Sequence, residues 1–179
     1  MVFIPDLTRR LRAEEKIHSF REMRKIIGEL RNRGVTVVLA QGVFDIPHRG
    51  HIGYFRAALD IDPSNTLLIV GVENDESVKQ NKGLSRPINP LTDRLHMLSE
   101  FVSVGLVFAF DDVPTYNAAE TFINRYRALE PVSIAVASWD PHRGLKELQA
   151  KEAGTSLAFL DYRHENSTTR MLRRVGFKE

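Results

Sequence analysis

The 179-residue chain contains no cysteine. That excludes disulfides, thiolate nucleophiles and cysteine-based metal sites. It has little excess charge: 25 Lys and Arg against 23 Asp and Glu leave a net +2. So small an imbalance does not point to nucleic acid or a membrane surface as partner. No apolar run approaches the ~18 residues of a membrane span, and the first residues lack a signal-peptide core, so a cytoplasmic location is expected. There is no Gly-x-x-x-x-Gly-Lys-Ser/Thr run, and no Gly-x-Gly-x-x-Gly follows the first apolar strand. These absences argue against a P-loop protein and a dinucleotide-dependent dehydrogenase. No residue stands out as an activated nucleophile, and no His, Asp and Glu cluster has metal-ligand spacing. Repeats, low-complexity tracts and linkers are also missing, which predicts one domain over residues 19–179 behind an arm over 1–18. In that arm Arg9, Arg10, Arg12, Glu14, Glu15 and Lys16 crowd together, as on a solvated surface segment.

What is present alternates between two periods. Ser19 to Glu22 has the form of a capping box, and Met23, Ile26, Ile27 and Leu30 follow at helical spacing up to Gly34. Val35 to Ala40 is a β-branched apolar run of strand length. Thr66–Val72, about Ser103 to Phe110, Val132–Ala137 and Ser156–Leu160 complete a set of five expected strands. Helices are expected between them: over Ile52–Leu59, from Asn89-Pro90 with proline at the first helical position, around Tyr116 to Leu129, and after Gly144. Lys79 to Pro87 reads as a basic, glycine-containing loop. The last helix opens at Glu165 to Arg170. Such alternation predicts an α/β fold: a doubly wound, Rossmann-like, parallel five-stranded sheet with helices on both faces.

In a sheet of this kind a ligand lies beyond the carboxyl ends of the strands. The turn Gln41 to His51 leaves such an end, carries glycines, and enters a helix with His48 and His51 three residues apart. Backbone N–H groups and the helix dipole make such a turn an anion site. The Lys79–Arg86 stretch, the Ser138–Gly144 loop and the route to Ser167 leave the same ends and can converge on it. Ser167-Thr168-Thr169 would form a second helix start able to take an anion. Lysines, arginines and paired histidines of this sort suit a polyphosphate.

Gly42-Val43-Phe44-Asp45-Ile46-Pro47-His48-Arg49-Gly50-His51 resembles the G-x-F-D-x-x-H-x-G-H signature of the cytidylyltransferase-like nucleotidyltransferase superfamily. Lys82 to Leu91, on through Arg94, looks like the adenylyltransferase domain of the bifunctional ADP-heptose synthesis protein. Ser167-Thr168-Thr169 matches the superfamily's late S-T-T signature. The resemblance spans about Ser19 to Val175. It implies transfer of AMP from ATP to a phosphorylated acceptor, a sugar phosphate of the heptose 1-phosphate kind, with Mg2+ accompanying the triphosphate and pyrophosphate released. The alternatives are a CTP-dependent enzyme acting on a phosphorylated alcohol such as glycerol 3-phosphate, and a non-catalytic nucleotide-binding module.

By that resemblance His48 and His51 hold the triphosphate, and Lys82, with Lys79 as its rival, neutralises the acceptor and α-phosphates. Arg94, Ser167, Thr168 and Thr169 are expected on the nucleotide's phosphates. Gly42, Val43, Phe44 and Gly50 of the same turn, with Ser138 and Asp140, are also expected at the nucleotide. Arg86 and Trp139, with Lys79, are expected at the acceptor. The chain departs from the heptose pattern where a K-G-G-D-Y-type run is replaced by Val136 to Pro141 and where T-N-G is replaced by Ala40-Gln41-Gly42. A homodimer or higher homo-oligomer is expected.

Overall fold

The structure, a computed structural model, describes residues 11–110, 118–129, 132–164 and 167–177. Among them, eight helices and six strands alternate: α1 (Ala13–Lys16), β1 (Ile17–His18), α2 (Phe20–Asn32), β2 (Thr36–Gly42), α3 (Arg49–Leu59), β3 (Thr66–Val72) and α4 (Asp75–Lys82). Then come α5 (Leu91–Ser99), β4 (Leu106–Ala109), α6 (Ala118–Ala128), β5 (Ser133–Ala137), α7 (Arg143–Ala153), β6 (Ser156–Leu160) and α8 (Thr168–Arg174). All strands run parallel in one sheet of order β1-β4-β3-β2-β5-β6. β2 pairs with β3 over its whole length, Thr36 against Thr66 through Gly42 against Val72. The chain winds outward from β2 to β4, then crosses back to β5 on the other side of β2. The carboxyl ends of β2 and β5 therefore form the switch point where a ligand crevice opens.

The alternation of side chains along β2 explains the two layers. Val37 and Leu39 face a core built with Met23, Ile26, Ile27 and Leu30 of α2 and Ile123 and Tyr126 of α6. Val38 and Ala40 face the opposite core, with Phe55 and Ala58 of α3 and Leu98 of α5. Each such fully buried large side chain contributes about 1.5–3 kcal/mol. The expected capping box is present: the Ser19 hydroxyl accepts from Glu22 N, and the Glu22 carboxylate accepts from Ser19 N. α2 ends at Gly34 with φ +78°, a conformation that glycine adopts at no steric cost.

The class is as expected, but the strands number six, not five. The sixth is the two-residue β1, whose Ile17 and His18 pair with Val107 and Phe108 at the sheet edge. Residues 13–18, expected as part of an arm, thus form α1 and β1, and Leu11 is buried in the core. Lys79 to Lys82 lies in α4, not a loop, because Asn74 caps that helix through Ser77 N at 2.8 Å. Pro90 is the cap of α5, not its first residue. Tyr116, at the start of one expected helix, and Glu165 and Asn166, ahead of the last one, lie outside the described residues. No helix among the described residues is long and apolar enough to cross a membrane.

Candidate active site

The connection from β2 to α3 is short and strained. Phe44 sits at φ +50°, the left-handed region, which costs a non-glycine residue roughly 1–2 kcal/mol. Packing offsets the strain: the ring is buried against Phe55 at 5.4 Å and meets His51 edge-on at 5.2 Å. Asp45 then turns inward. Its carboxylate, 1% exposed, accepts from Arg86 Nε at 2.8 Å, Ile88 N at 2.9 Å and Asn89 N at 2.8 Å. The 86–89 segment is thereby tied beneath the turn.

His48 is the cap of α3. Its Nδ1 accepts from Gly50 N at 3.0 Å, while His48 N donates to His51 Nδ1 at 3.3 Å, so the capping box is built from two imidazoles. The rings stack at 3.9 Å with 22° between planes. Because each Nδ1 is an acceptor, each neutral ring carries its proton on Nε2 and keeps that donor for another partner. Burial lowers the pKa of His51 to about 4, with the nearby His48 and His164 adding to the effect. His48 is shifted the same way by burial and by His164. Both are therefore neutral donors at pH 7. Gly50 is required here: a Cβ would lie 2.7 Å from the His48 ring and 2.9 Å from His164 Nδ1.

The depressed pKa makes a stability prediction. The unfolded chain, with histidine near 6.5, takes up protons that folded His51 refuses. Its contribution, on the order of 3 kcal/mol, is complete above about pH 6.5 and is lost as pH falls toward 4. The melting temperature should drop through this window, and less so in His51→Gln, which cannot titrate there. Equal slopes for the two proteins would refute the assignment.

A cavity of about 410 Å³ opens over this turn, within the range of small-molecule sites. Val43, Phe44, His48, Gly50 and His51 line it from the β2–α3 connection and the start of α3, and Lys82 and Arg86 from the α4–α5 region. Trp139 lines it from the β5 loop, and Ser167, Thr168 and Thr169 from the start of α8. The Thr168 hydroxyl donates to Ile46 O at 3.3 Å and Ser167 caps α8, joining the chain's last described helix to the β2–α3 turn.

Five expected site residues are placed elsewhere. Gly42 ends β2 and does not line the cavity. Lys79 is exposed and lies 4.0 Å from Glu76. Arg94, wholly buried, donates to Val43 O at 2.6 Å, Asn89 O at 3.1 Å and Asp75 Oδ1 at 2.6 Å, bracing the turn from below. The Ser138 hydroxyl donates to Leu160 O, and Asp140 pairs with Lys146 at 2.6 Å. Asp140 is held below the usual carboxylate range: burial works the other way, but the bonds from Lys146 and His142 N outweigh it.

Tyr54, Tyr162 and His164 also line the cavity, beyond the residues expected there. The buried Tyr54 hydroxyl donates to Ala135 O at 2.7 Å, fixing α3 against β5, and burial raises its pKa. Trp139 Nε1 donates to Tyr162 O at 2.6 Å. The signal for Tyr162 and His164 was their place just past the carboxyl end of the fifth expected strand. Among the described residues, no three His, Asp or Glu side chains gather into a metal site.

A family model described as cytidylyltransferase-like matches residues 39–172. The chain belongs to the cytidylyltransferase-like family. This family membership makes it a nucleotidyltransferase, of a family that generally uses a divalent metal with the nucleoside triphosphate. Bifunctional protein HldE of Nitratiruptor sp. is 33% identical over 167 residues, 93% of this chain and 33% of that protein. The HldE of Sodalis glossinidius is 31% identical over 155 residues, 86% of this chain and 30% of its own length. This cytidylyltransferase-like chain thus spans about a third of the length of the curated relatives it matches. Among solved structures, a lipopolysaccharide core biosynthesis protein from Thermoplasma volcanium matches with TM-score 0.55 and 25% identity, covering 73% of this chain and all of that one. A pantoate-beta-alanine ligase from Francisella tularensis shares the fold, with TM-score 0.58 and 14% identity over 83% of this chain and 67% of its own.

Proposed function

We propose that the protein transfers AMP from ATP to the phosphate of a sugar phosphate, releasing pyrophosphate. One observation carries this reading: two neutral imidazoles, locked by their own capping box, present Nε2–H donors at a cavity on the switch point of the sheet. The HldE relatives, matched over most of this chain, favour ATP and a sugar phosphate over CTP and a phosphorylated alcohol.

In the reaction, an acceptor phosphate oxygen forms a bond to the α-phosphorus as the α–β bridging oxygen departs with pyrophosphate. The step needs positioned charge, not a covalent intermediate. His48 and His51 donate to phosphate oxygens as negative charge shifts onto the leaving group, in a site where burial strengthens each hydrogen bond. Lys82 is the mobile cation that offsets repulsion between acceptor and α-phosphate, and Lys79, one helical turn away, is the weaker candidate. Arg94 acts through the Val43 carbonyl, holding the turn. Ser167 to Thr169 close the opposite wall, and Trp139 with Arg86 borders the space left for the acceptor or the base. Mg2+ accompanying the triphosphate would supply charge neutralisation; Asp45, a carboxylate on the cavity wall, is already taken up by Arg86 and two backbone N–H groups.

The test is pyrophosphate release from ATP or CTP with Mg2+ and a panel of acceptors: hexose and heptose 1-phosphates, and glycerol 3-phosphate. Release with ATP and a sugar 1-phosphate is expected. Release only with CTP and glycerol 3-phosphate would replace the substrates, and a nucleotide-induced rise in melting temperature without release would mean a binding module.

A further inference from the structure

We propose that His164 is a third imidazole contact for the phosphate chain of the nucleotide, in line with His48 and His51; the inference rests on the nucleotide-site reading above. The His164 ring lies 15° from parallel to His48 with centroids 5.9 Å apart, and both line the same cavity. The rings of His51, His48, His164 and Tyr162 thus follow one another as a row, at 3.9, 5.9 and 6.4 Å.

The row is built, not incidental. Tyr162 is held at both ends: its hydroxyl donates to Arg49 O at 3.3 Å, and its carbonyl accepts from Trp139 Nε1 at 2.6 Å. Its ring covers Gly53, where any Cβ would overlap it. His164 Nδ1 sits 2.9 Å from where a Cβ of Gly50 would stand. Glycines at 50 and 53 therefore clear one side of α3 for the two rings that follow β6. The two inner imidazoles have each committed Nδ1 to the helix cap. A third ring beyond His48 extends the row of imidazoles along the cavity that Ser167 to Thr169 also line.

The test uses the full chain with His164→Ala and His164→Asn, and calorimetric binding of ATP, inorganic pyrophosphate and adenosine. His164→Ala should weaken ATP and pyrophosphate by about 10-fold, the scale of one hydrogen bond to a charged group. Adenosine affinity and melting temperature should stay unchanged, and His164→Asn should recover part of the loss. If His164 served only to steady His48, kcat would fall while ATP affinity held, and the proposal would be overturned. Equal losses for adenosine and ATP would also overturn it, as a distortion of the whole site. A wild-type protein that binds neither ATP nor CTP would overturn the nucleotide-site reading itself, and the proposal with it.

Discussion

Replacing His48 with alanine is expected to lower turnover by roughly 10²–10⁴-fold while leaving the fold intact. The size follows from two losses at one atom set. The Nε2–H donor proposed for the triphosphate disappears, and Gly50 N and the first turn of α3 lose their cap. Losing a cap costs about 1 kcal/mol, or about 2–4 °C in melting temperature for a chain of this size. That leaves most molecules folded, so the kinetic loss cannot be a folding loss. His48→Asn separates the two contributions, because asparagine caps a helix as well as any residue but lacks the imidazole donor. It should restore the melting temperature and leave turnover depressed. The measurements are steady-state pyrophosphate release and a thermal scan on all three proteins. If His48→Asn kept wild-type turnover, the ring would be only a cap and the donor role would be wrong.

The sheet and its two cores could be read from the chain because buried strands and amphipathic helices impose periods that local residues must obey. β2 and β3 are nearly continuous apolar runs, and α2 declares both ends, with Ser19 and Glu22 at one and Gly34 at the other. Where no period exists, reading fails. β1 is two residues long and exists only because Val107 and Phe108 offer it an edge. α4 buries only Ser77 and Val78, so its polar sequence looks like a loop. The site divides the same way. His48, Gly50 and His51 form a contiguous motif, and their roles depend on neighbours within one helical turn. Lys79 and Lys82 differ only in helix phase, which turns Lys82 to the cavity and Lys79 to Glu76. Arg94 reads as a surface or ligand charge. Its burial depends on Val43, Asp75 and Asn89, which only the tertiary fold gathers around it. Asp45 lay inside the quoted motif without a role, because its partners Arg86, Ile88 and Asn89 are more than forty residues away.

That separation gives Asp45 the largest expected effect on stability. Asp45→Asn should destabilise the fold by about 3–5 kcal/mol, the cost of leaving one member of a buried ion pair without its counter-charge. Both side chains are 1% exposed, so water cannot replace the carboxylate. Asparagine offers one acceptor oxygen where the carboxylate offers two, and its amide points hydrogens at other donors in either orientation: Arg86 Nε and Ile88 N at the Oδ2 position, Ile88 N and Asn89 N at the Oδ1 position. Against a total of about 5–15 kcal/mol this is a large fraction, and the melting temperature should fall by about 6–20 °C. Function should fall too in protein kept folded by cooling. The 86–89 segment carries Arg86 to the cavity wall, and its release should raise KM for the acceptor more than it lowers kcat. Urea unfolding of Asp45→Asn, Arg86→Met and the double variant checks the cause. With the guanidinium gone, the double variant should be more stable than Asp45→Asn alone, a positive coupling that independent sites do not show. A single variant within about 1 kcal/mol of wild type would mean the pair is not what holds the 86–89 segment beneath the histidine turn.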